Sequence, residues 1–329
     1  MVSDSKLTKK ELDLIESRYN MRTTTVKWAR DNPDLIEARL WSIAQENIQC
    51  ISNLLNFVAS LPEGQRMVRL SSDVFPLYTH AEFKWFYKQK SFKKYAAANL
   101  ISCGDFARQH GIRLSMHPGQ FVVLASDNPN IVNTSIEEFE YHVDIIRWLG
   151  YGKTNRDMKC NVHLAGRGGE SVFRKAFARL SPEAKLTLTL ENDEFGAGLD
   201  DVLSVSDLVP VVLDIHHHWI NTGTYISPRS VNVQRVVDSW KGVRPTMHYS
   251  YSQEHVLNAG GFSSSSLRKP DLSSLTAKKT ELRAHSNDYP NLAANRWALS
   301  FLPQFDIMCE SKYKNLASSA LFELYSNLK

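Results

Sequence analysis

The hydrophobic residues of this chain repeat with two different periods. Between residues 34 and 60 they recur every three or four positions, which predicts an amphipathic helix with Asp34 available as its N-cap. The apolar face of this helix comprises Leu40, Ile43, Ala44, Ile48, Ile51, Leu54, Leu55 and Val58. Seven shorter apolar runs have the length and composition of buried strands instead. These runs are MVRLSS near residue 67, IRLSMH near 112, CNVHLAG near 160, LTLTLEN near 186, VPVVLDI near 209, RPTMHYS near 244 and FDIMCES near 305.

Most of the strand-like runs are separated by stretches with the helical period. They are SFKKYAAANLISCGDFARQHG, SIEEFEYHVDIIRWLG, SVFRKAFARL, SVNVQRVVDSW and NLASSALFELYSNL. Alternating strands and helices predict a parallel sheet, and this number of units favours an α/β fold of the TIM-like (β/α)8 barrel type. An open doubly wound sheet is the alternative, although no GxGxxG follows an early strand. Residues 258–275, rich in Ser and Gly, interrupt the alternation and predict a long exposed loop.

Composition sets the class of protein. With 329 residues, 43% of them hydrophobic, the chain can bury a large core. We expect residues 1–20 to form an N-terminal extension or an atypical start, and residues 21–329 to form one barrel domain. No apolar stretch approaches the ~20 residues of a membrane span, and the N-terminus lacks the apolar core of a signal peptide, so we expect an intracellular protein that does not contact membranes.

The four cysteines argue against two kinds of site, and the net charge decides little. The cysteines lie far apart without a CxxC pair, which argues against a disulfide scaffold and against a thiolate zinc site. A net charge of +4 is compatible with a polyanionic partner but does not require one.

A potential metal ligand stands at the end of each predicted strand. These residues are Asp73, His117, His163, Glu191, Asp214, His248 and Glu310. In a barrel the carboxyl ends of the strands converge on one mouth, so these side chains are expected to share a cleft. Imidazoles and carboxylates without thiolates suit zinc, manganese or magnesium, and the set is larger than one ion needs.

Three consecutive histidines follow Asp214. His217, three residues after Asp214, is expected to turn with it towards the mouth, whereas His216 and His218 are expected to point elsewhere, either as packing groups or as residues that support the ligands. Metal ions in a mildly basic mouth are suited to binding a phosphodiester, activating water and neutralising the leaving oxygen, so we expect hydrolysis of a nucleic-acid backbone.

Two basic segments are weaker indications of such a substrate. Residues 84–95 interleave lysines with aromatic residues, as a phosphate-binding surface or simply a solvated helix face would. The GRGGE sequence after His163 brings Arg167 and glycine amides near the mouth, which suits phosphate binding but also an ordinary turn.

Several stretches resemble the UV damage endonuclease family in order and spacing. They run from about residue 21 to 320 and read RLSMHPGQFVVLAS, VHLAG, LTLENDE, VVLDIHHH, MHYSYSQ, RAHSNDY and IMCESK. The resemblance implies a TIM barrel related to endonuclease IV that holds up to three divalent ions. It also implies nicking of DNA, without ATP, immediately 5′ to cyclobutane dimers and 6-4 photoproducts, and action on abasic sites.

The resemblance also assigns roles to residues. As metal ligands it implies His117, His163, Glu191, Asp214, His217, His248, His285 and Glu310, and strand counting adds Asp73 to this set. Glu191, Asp214, His248 and Glu310 are expected to be the catalytic members. Gln120 and Phe121 match the family's Gln-Tyr pair, which wedges into the duplex while the damaged nucleotides turn out. An ordinary core phenylalanine is the alternative for Phe121.

The chain departs from the family pattern at three places. Asp73 replaces a frequent histidine, and Thr246 replaces a lysine described in some members as carboxylated and metal-bridging. The N-terminus shows no short first strand, so we expect a barrel with a missing or altered first strand. Tyr19 and Asn20 are the candidates in this chain for the Tyr and Asn that the family's first loop supplies.

Together these patterns predict a metal-dependent DNA repair endonuclease. The expected cofactors are up to three divalent ions, with Mn²⁺ preferred over Mg²⁺ or Zn²⁺. The expected partner is damaged double-stranded DNA, without an obligate protein partner, and the protein is expected to be a monomer at the nucleoid in the cytoplasm, or in the nucleus of a eukaryote. The alternatives are a damage-binding protein that has lost cleavage and a xylose-isomerase-like sugar isomerase.

Overall fold

Seven parallel strands, each followed or preceded by helices, form a nearly closed barrel in the computed structural model, which describes residues 15–328. The strands are β1 (Met67–Leu70), β2 (Arg113–Met116), β3 (Lys159–His163), β4 (Leu188–Glu191), β5 (Val211–Asp214), β6 (Thr246–Tyr249) and β7 (Asp306–Cys309). They are hydrogen-bonded in sequence order. All seven strands predicted from the sequence are therefore confirmed, and so is the TIM-like barrel.

Helices cover the outside of the barrel. They are α1 (Val26–Asp31), α2 (Ile36–Ala59), α3 (Trp85–Lys88), α4 (Lys90–Gln109), α5 (Pro129–Trp148), α6 (Gly169–Arg179), α7 (Pro182–Thr187), α8 (Leu199–Leu203), α9 (Ile215–Thr222), α10 (Val231–Ser239), α11 (Glu254–Ala259), α12 (Lys279–Leu282), α13 (Leu292–Leu299) and α14 (Asn315–Leu328). The six helices predicted from periodicity are present as α2, α4, α5, α6, α10 and α14. Asp34 as a cap was wrong, because α2 begins at Ile36 and its N-cap is Leu35, which makes no side-chain cap bond.

Strand register places candidate site residues side by side at the mouth. His163 at the end of β3 pairs with Glu191 at the end of β4. Asp214 at the end of β5 pairs with His248 in β6. Strands β4, β5 and β6 are buried along their whole length, as expected of parallel strands covered by helices. The sheet therefore places these four side chains as two adjacent pairs near the carboxyl ends of four consecutive strands.

A seam lies between β1 and β7. Among the described residues β1 pairs only with β2 and β7 only with β6, so these two strands form the edges of the sheet. A cavity of about 1750 Å³ runs from the mouth along both strands, and Phe322 of α14 and Leu54 of α2 contribute to its wall. Arg69 of β1 pairs across the mouth with Glu310, which directly follows β7. Seven strands and this seam agree with the expectation of a missing or altered first strand.

The start of the described chain lies beside this seam. The Tyr19 ring packs edge-on against Phe57 of α2, with ring centroids 6.2 Å apart. Tyr19 and Asn20 both line the cavity. The expected N-terminal extension falls mostly on residues 1–14, which lie outside the described residues.

The Ser/Gly-rich segment is irregular, as expected, apart from the end of α11 and a 3-10 turn at Leu272–Ser274. The buried side chain of Asn291 donates to the carbonyl oxygens of Ser264, Ser266 and Arg268, which ties the loop to the start of α13. Between residues 15 and 328, every helix is too short or too polar to cross a bilayer.

Candidate metal centre

Glu191 lies at the centre of the barrel mouth. Its side chain is only 1% exposed, and three imidazoles surround it. Its Oε2 lies 3.2 Å from His117 Nε2, and its Oε1 lies 3.0 Å from His248 Nδ1 and 3.4 Å from His217 Nδ1. Burial alone would raise the pKa of Glu191, but the neighbouring histidines, His248 and His163 above all, bring it well below its usual range. This carboxylate is therefore an anion on which several ligands converge.

Three overlapping groups of side chains have the geometry of a cation site. They are His117 with Glu191 and His248, His163 with Glu191 and His217, and Asp214 with His248 and Glu310. In each group the potential ligand atoms lie within 4.8 Å of one another. The structure thus brings together all the predicted strand-end ligands except Asp73, and with them His217, which was also predicted.

Two buried atoms in these groups fit a cation directly. Asp214 Oδ2 and His163 Nδ1 are buried and have no hydrogen-bond partner. Buried polar atoms are normally paired, because losing water without a partner costs about 1–3 kcal/mol. The donor set of imidazoles and carboxylates therefore fits a divalent ion.

The two carboxylate oxygens of Asp214 have different roles: one caps a helix and the other faces the barrel mouth. Its Oδ1 caps helix α9 by accepting the backbone N–H groups of His216 and His217, both at 2.7 Å. Its Oδ2 faces His217 Nδ1 at 3.7 Å. Burial, together with the charges of Glu191 and Glu310, raises the pKa of Asp214 to about 7 despite the opposing effect of His217. The carboxylate accordingly gains from a nearby cation.

The three consecutive histidines have different surroundings. His217 faces the centre, where Asp214 and Glu191 overcome its burial and raise its pKa well above the usual value. His216 stacks on Trp219, and its Nε2 lies 3.3 Å from the carbonyl oxygen of Leu282. Burial lowers the pKa of His216 to about 3, which keeps it neutral. His218 is half-buried and outside the three groups.

His248 and Glu310 form the side of the centre nearest to the seam. Although burial opposes both shifts, Glu191 and then Glu310 raise the pKa of His248 to about 9, and His248 and then Arg69 lower the pKa of Glu310 to about 2. Arg69 donates directly to Glu310 Oε1. Arg69 therefore fixes the position of this carboxylate.

Asp73 and His285 lie outside the three groups. Asp73 is exposed in a 3-10 turn after β1, and its Oδ2 lies 3.3 Å from Ser71 Oγ. His285 is half-buried at the cavity, where burial lowers its pKa and the charge of Glu310 opposes this effect. Their predicted role as ligands stays a prediction.

Several polar residues around the centre were not predicted from the sequence. Asn161 in β3 donates to Glu191 Oε2, and Asn192 exchanges two 2.9 Å hydrogen bonds with the backbone of Asp214. Glu194 is buried, with Oε2 3.6 Å from His217 Nε2, and Asp193 Oδ2 lies 3.5 Å from His163 Nδ1. Three of these four residues, Asn192, Asp193 and Glu194, form the polar run directly after Glu191, and this run could have indicated them from the sequence.

The loop after β2 carries the predicted duplex-probing pair. Phe121 is 68% exposed, so the alternative of a core phenylalanine is wrong. Gly119 leaves room for its ring, because a Cβ at residue 119 would lie 2.4 Å from a ring carbon of Phe121. Gly166 touches the same loop further on, where a Cβ would lie 2.3 Å from the carbonyl oxygen of Ala125. Gly166, the first glycine of the GRGGE sequence, thus allows close packing of two mouth loops.

The basic aromatic segment at residues 84–95 has mostly a structural role for its rings. Phe86, Tyr87 and Phe92 are buried, while Trp85 is 43% exposed. Lys84 pairs with Glu137 of α5 at 2.8 Å. This arrangement corresponds to a helix face whose aromatic side packs into the core.

Residues 8–329 match the family model described as UV-endonuclease UvdE. The chain belongs to this family. It is 35% identical over 204 residues to a UV-damage endonuclease of Neurospora crassa, covering 57% of this chain and 30% of that protein. It is 29% identical over 303 residues to one of Schizosaccharomyces pombe, covering 87% of this chain and 44% of that protein. The chain thus spans less than half the length of these two fungal relatives.

UvdE relatives of similar length show the same likeness along the chain. A UV DNA damage endonuclease of Bacillus mycoides is 26% identical over 317 residues, which cover 93% of this chain and 89% of that protein. The crystal structure of SacUVDE superimposes with a TM-score of 0.72 at 25% identity and covers 93% of both chains. The barrel of this protein is therefore the UvdE barrel.

Proposed function

We propose that this protein is a metal-dependent DNA repair endonuclease that nicks damaged duplexes immediately 5′ to UV photoproducts, with residues 21–329 as its catalytic domain. The observation that carries the proposal is the buried centre around Glu191, where three overlapping ligand groups lie beneath a loop that exposes Phe121. Membership of the UvdE family and the names of the bacterial and fungal relatives support it. Cyclobutane dimers and 6-4 photoproducts are the proposed lesions, and abasic sites are a further substrate.

The proposed cofactors are up to three divalent ions, one for each ligand group. Glu191 and His248 each belong to two groups; the two oxygens of Glu191 could serve two ions, whereas the Nδ1 of His248 could serve only one. Asp73 and His285 are proposed to complete the coordination when DNA is bound. Imidazole and carboxylate ligands suit Mn²⁺, with Mg²⁺ or Zn²⁺ as alternatives. Such ions supply activation of water and neutralisation of charge on the phosphate and the 3′ leaving oxygen.

The side chains around the centre hold these ligands in place. Asp214 is fixed by its cap on α9 and by the amide of Asn192, Glu310 by Arg69, and Glu191 by Asn161. Such fixed partners orient ligands and raise metal affinity, and losing one typically costs 10–100-fold in affinity or activity. Glu191, Asp214, His248 and Glu310 are the proposed catalytic members of the set.

The lesion would be recognised by Gln120 and Phe121. Both side chains are exposed on the loop after β2, where they can enter a duplex that the lesion has already weakened. Turning a nucleotide out of the duplex costs the least free energy when that nucleotide is damaged, so the wedge would favour lesions over intact DNA. The protein is proposed to act as a monomer on cellular DNA, at the nucleoid or in the nucleus.

Incision of a labelled duplex with one defined cyclobutane dimer tests this function. We expect a nick with Mn²⁺, none after EDTA, and loss of the nick in Glu191→Gln. Tight binding to the dimer without any nick would instead identify a damage-binding protein. Thr246, buried two residues before His248 where relatives can have a lysine, is the observation that keeps this second function open.

A further inference from the structure

Arg283 joins three loops at the rim of the barrel mouth. It caps the end of α12, its Nε lies 3.0 Å from Glu194 Oε1, and one terminal nitrogen donates to Gln120 Oε1 at 3.4 Å. Its guanidinium carbon lies 5.7 Å from the ring centroid of Phe195. One arginine thus connects the probing loop after β2 with the loop after β4.

Phe195 is a large apolar residue that lies exposed at the rim of the barrel mouth. Its side chain is 46% exposed four residues after Glu191, the centre of the candidate metal site. By contrast Glu194, the preceding residue, has a side chain only 2% exposed and anchors Arg283 from below. The backbone N–H of Phe195 donates to Asp193 Oδ1 at 2.8 Å, which fixes the turn that presents the ring.

The rim therefore carries two exposed aromatic rings with a cation between them. Phe121 and Phe195 stand on different loops, and Arg283 contacts a neighbour of the first ring and the face of the second. Rings and guanidinium groups of this kind bind bases that have left the helical stack, while arginines also hold the backbone phosphates. Phe195 directly follows the LTLENDE stretch and Arg283 is the first residue of RAHSNDY, but neither residue is one of the probing pair or of the predicted metal ligands.

We propose that Phe195 and Arg283 form a second DNA-contacting element, in which the Phe195 ring stacks on an unstacked base at the lesion and Arg283 binds an adjacent backbone phosphate. The ligand is thus a distorted DNA duplex, held on two sides of the mouth. The buried carboxylate of Glu194 keeps Arg283 in position before DNA arrives. This inference rests on the proposed function, because an unstacked base reaches the mouth only in a lesion-bound complex.

Phe195→Leu and Phe195→Trp separate stacking from packing. Leucine keeps an apolar side chain but offers no aromatic face, whereas tryptophan enlarges that face. In EDTA, fluorescence anisotropy with a dimer-containing duplex should show Phe195→Leu weakened by roughly 5- to 100-fold. Phe195→Trp should bind as tightly as the unaltered protein or tighter. Ile101→Ala, which removes a 37% exposed apolar side chain from α4, is the matched control and should change nothing.

Arg283→Gln tests the phosphate contact. We expect the slope of log affinity against log salt to fall by about one for this variant. Because Arg283 also neutralises the buried Glu194, the double variant Glu194→Gln with Arg283→Gln guards against loss of folding, and it should show the same loss of slope. Thermal unfolding of all variants verifies that each is folded.

A fluorescent base reports stacking directly. With 2-aminopurine placed opposite the dimer, or 5′ to it, the Phe195 ring should alter the fluorescence at one of the two positions, and Phe195→Leu should remove that change. Equal affinity, salt slope and fluorescence in the variants and the unaltered protein, with incision by Mn²⁺ intact, would overturn this inference alone. Failure of the unaltered protein to bind or nick the dimer duplex would overturn it together with the proposed function.

Discussion

Asp214 and His217 lie one helical turn apart, and the two carboxylate oxygens of Asp214 contact different groups of His217. Oδ1 accepts the backbone N–H of His217 at 2.7 Å, while Oδ2 faces its imidazole Nδ1 at 3.7 Å and has no hydrogen-bond partner. One oxygen therefore completes the helix cap and the other is free for a cation. The same side chain supports both the fold and the proposed chemistry.

Asp214→Asn should separate these two roles. The amide oxygen retains the cap on α9, and the variant removes a buried carboxyl group whose ionised form is destabilised by burial. We expect the metal-free variant to melt within a few degrees of the unaltered protein. Mn²⁺ at 100 times the dissociation constant of one site stabilises the protein by about 2.7 kcal/mol at that site, so the variant, which lacks a ligand of one of the three groups, should be stabilised less than the unaltered protein. Equal stabilisation of both proteins in a thermal-shift titration would contradict the assignment of Asp214.

Arg69→Met should weaken metal binding through Glu310. Removing the guanidinium leaves Glu310 without the partner that fixes it and helps to lower its pKa. We expect Mn²⁺ affinity to fall by roughly 10–100-fold in a calorimetric titration. Arg174→Met, which breaks surface ion pairs with Glu170 and Asp207, serves as the control and should keep the original affinity. Unchanged affinity in Arg69→Met would show that Arg69 does not position the ligand.

Gly119→Ala should disturb lesion recognition without touching the metal centre. The new methyl group would lie 2.4 Å from a ring carbon of Phe121, so the ring must move. We expect weaker binding to a dimer-containing duplex, by about 10-fold or more because the wedge side chain is displaced, and unchanged Mn²⁺ affinity. Gel-shift titration and calorimetry on the same preparation measure the two quantities. A loss of both would indicate a folding defect, and a loss of neither would remove Phe121 from the recognition step.

His142 should make the fold sensitive to acid. It is buried in α5, its Nδ1 lies 2.8 Å from the carbonyl oxygen of Glu138, and burial lowers its pKa to about 4. Since the unfolded chain protonates this group near its usual 6.5, stability is fully present above that pH and falls as the pH drops from 6.5 to about 4, by on the order of 3 kcal/mol. His142→Gln should flatten this part of the curve in urea titrations at several pH values. An unchanged acid slope would exclude His142 as its origin.

Most of the candidate site could be predicted from the strand ends. The last residues of parallel strands lie at one mouth of the barrel, however far apart these residues are in the sequence. His163, Glu191, Asp214 and His248 follow this rule. Asp73 is exposed because it lies in a turn beyond the end of β1.

Other features depend on information that the sequence pattern does not contain. The contact of Asn161 with Glu191 depends on which positions of β3 face the barrel interior, and the contacts of Glu194 depend on the path of the loop after β4. The seam between β1 and β7 is a property of closure, which seven strand-like runs alone do not define. The pairing of Arg283 with Glu194 joins residues distant in sequence through an irregular loop, where neither period applies.

The position of the nick on a single defined lesion is the most direct test of the proposed endonuclease activity. A duplex with one cyclobutane dimer, labelled at the 5′ end of the damaged strand, is incubated with Mn²⁺ and resolved beside size standards. We predict one product that ends immediately 5′ to the dimer, and no such product after EDTA, with Glu191→Gln or on the undamaged duplex. A dimer strand left intact by folded, Mn²⁺-bound protein, or nicks at the same rate in undamaged DNA, would contradict it.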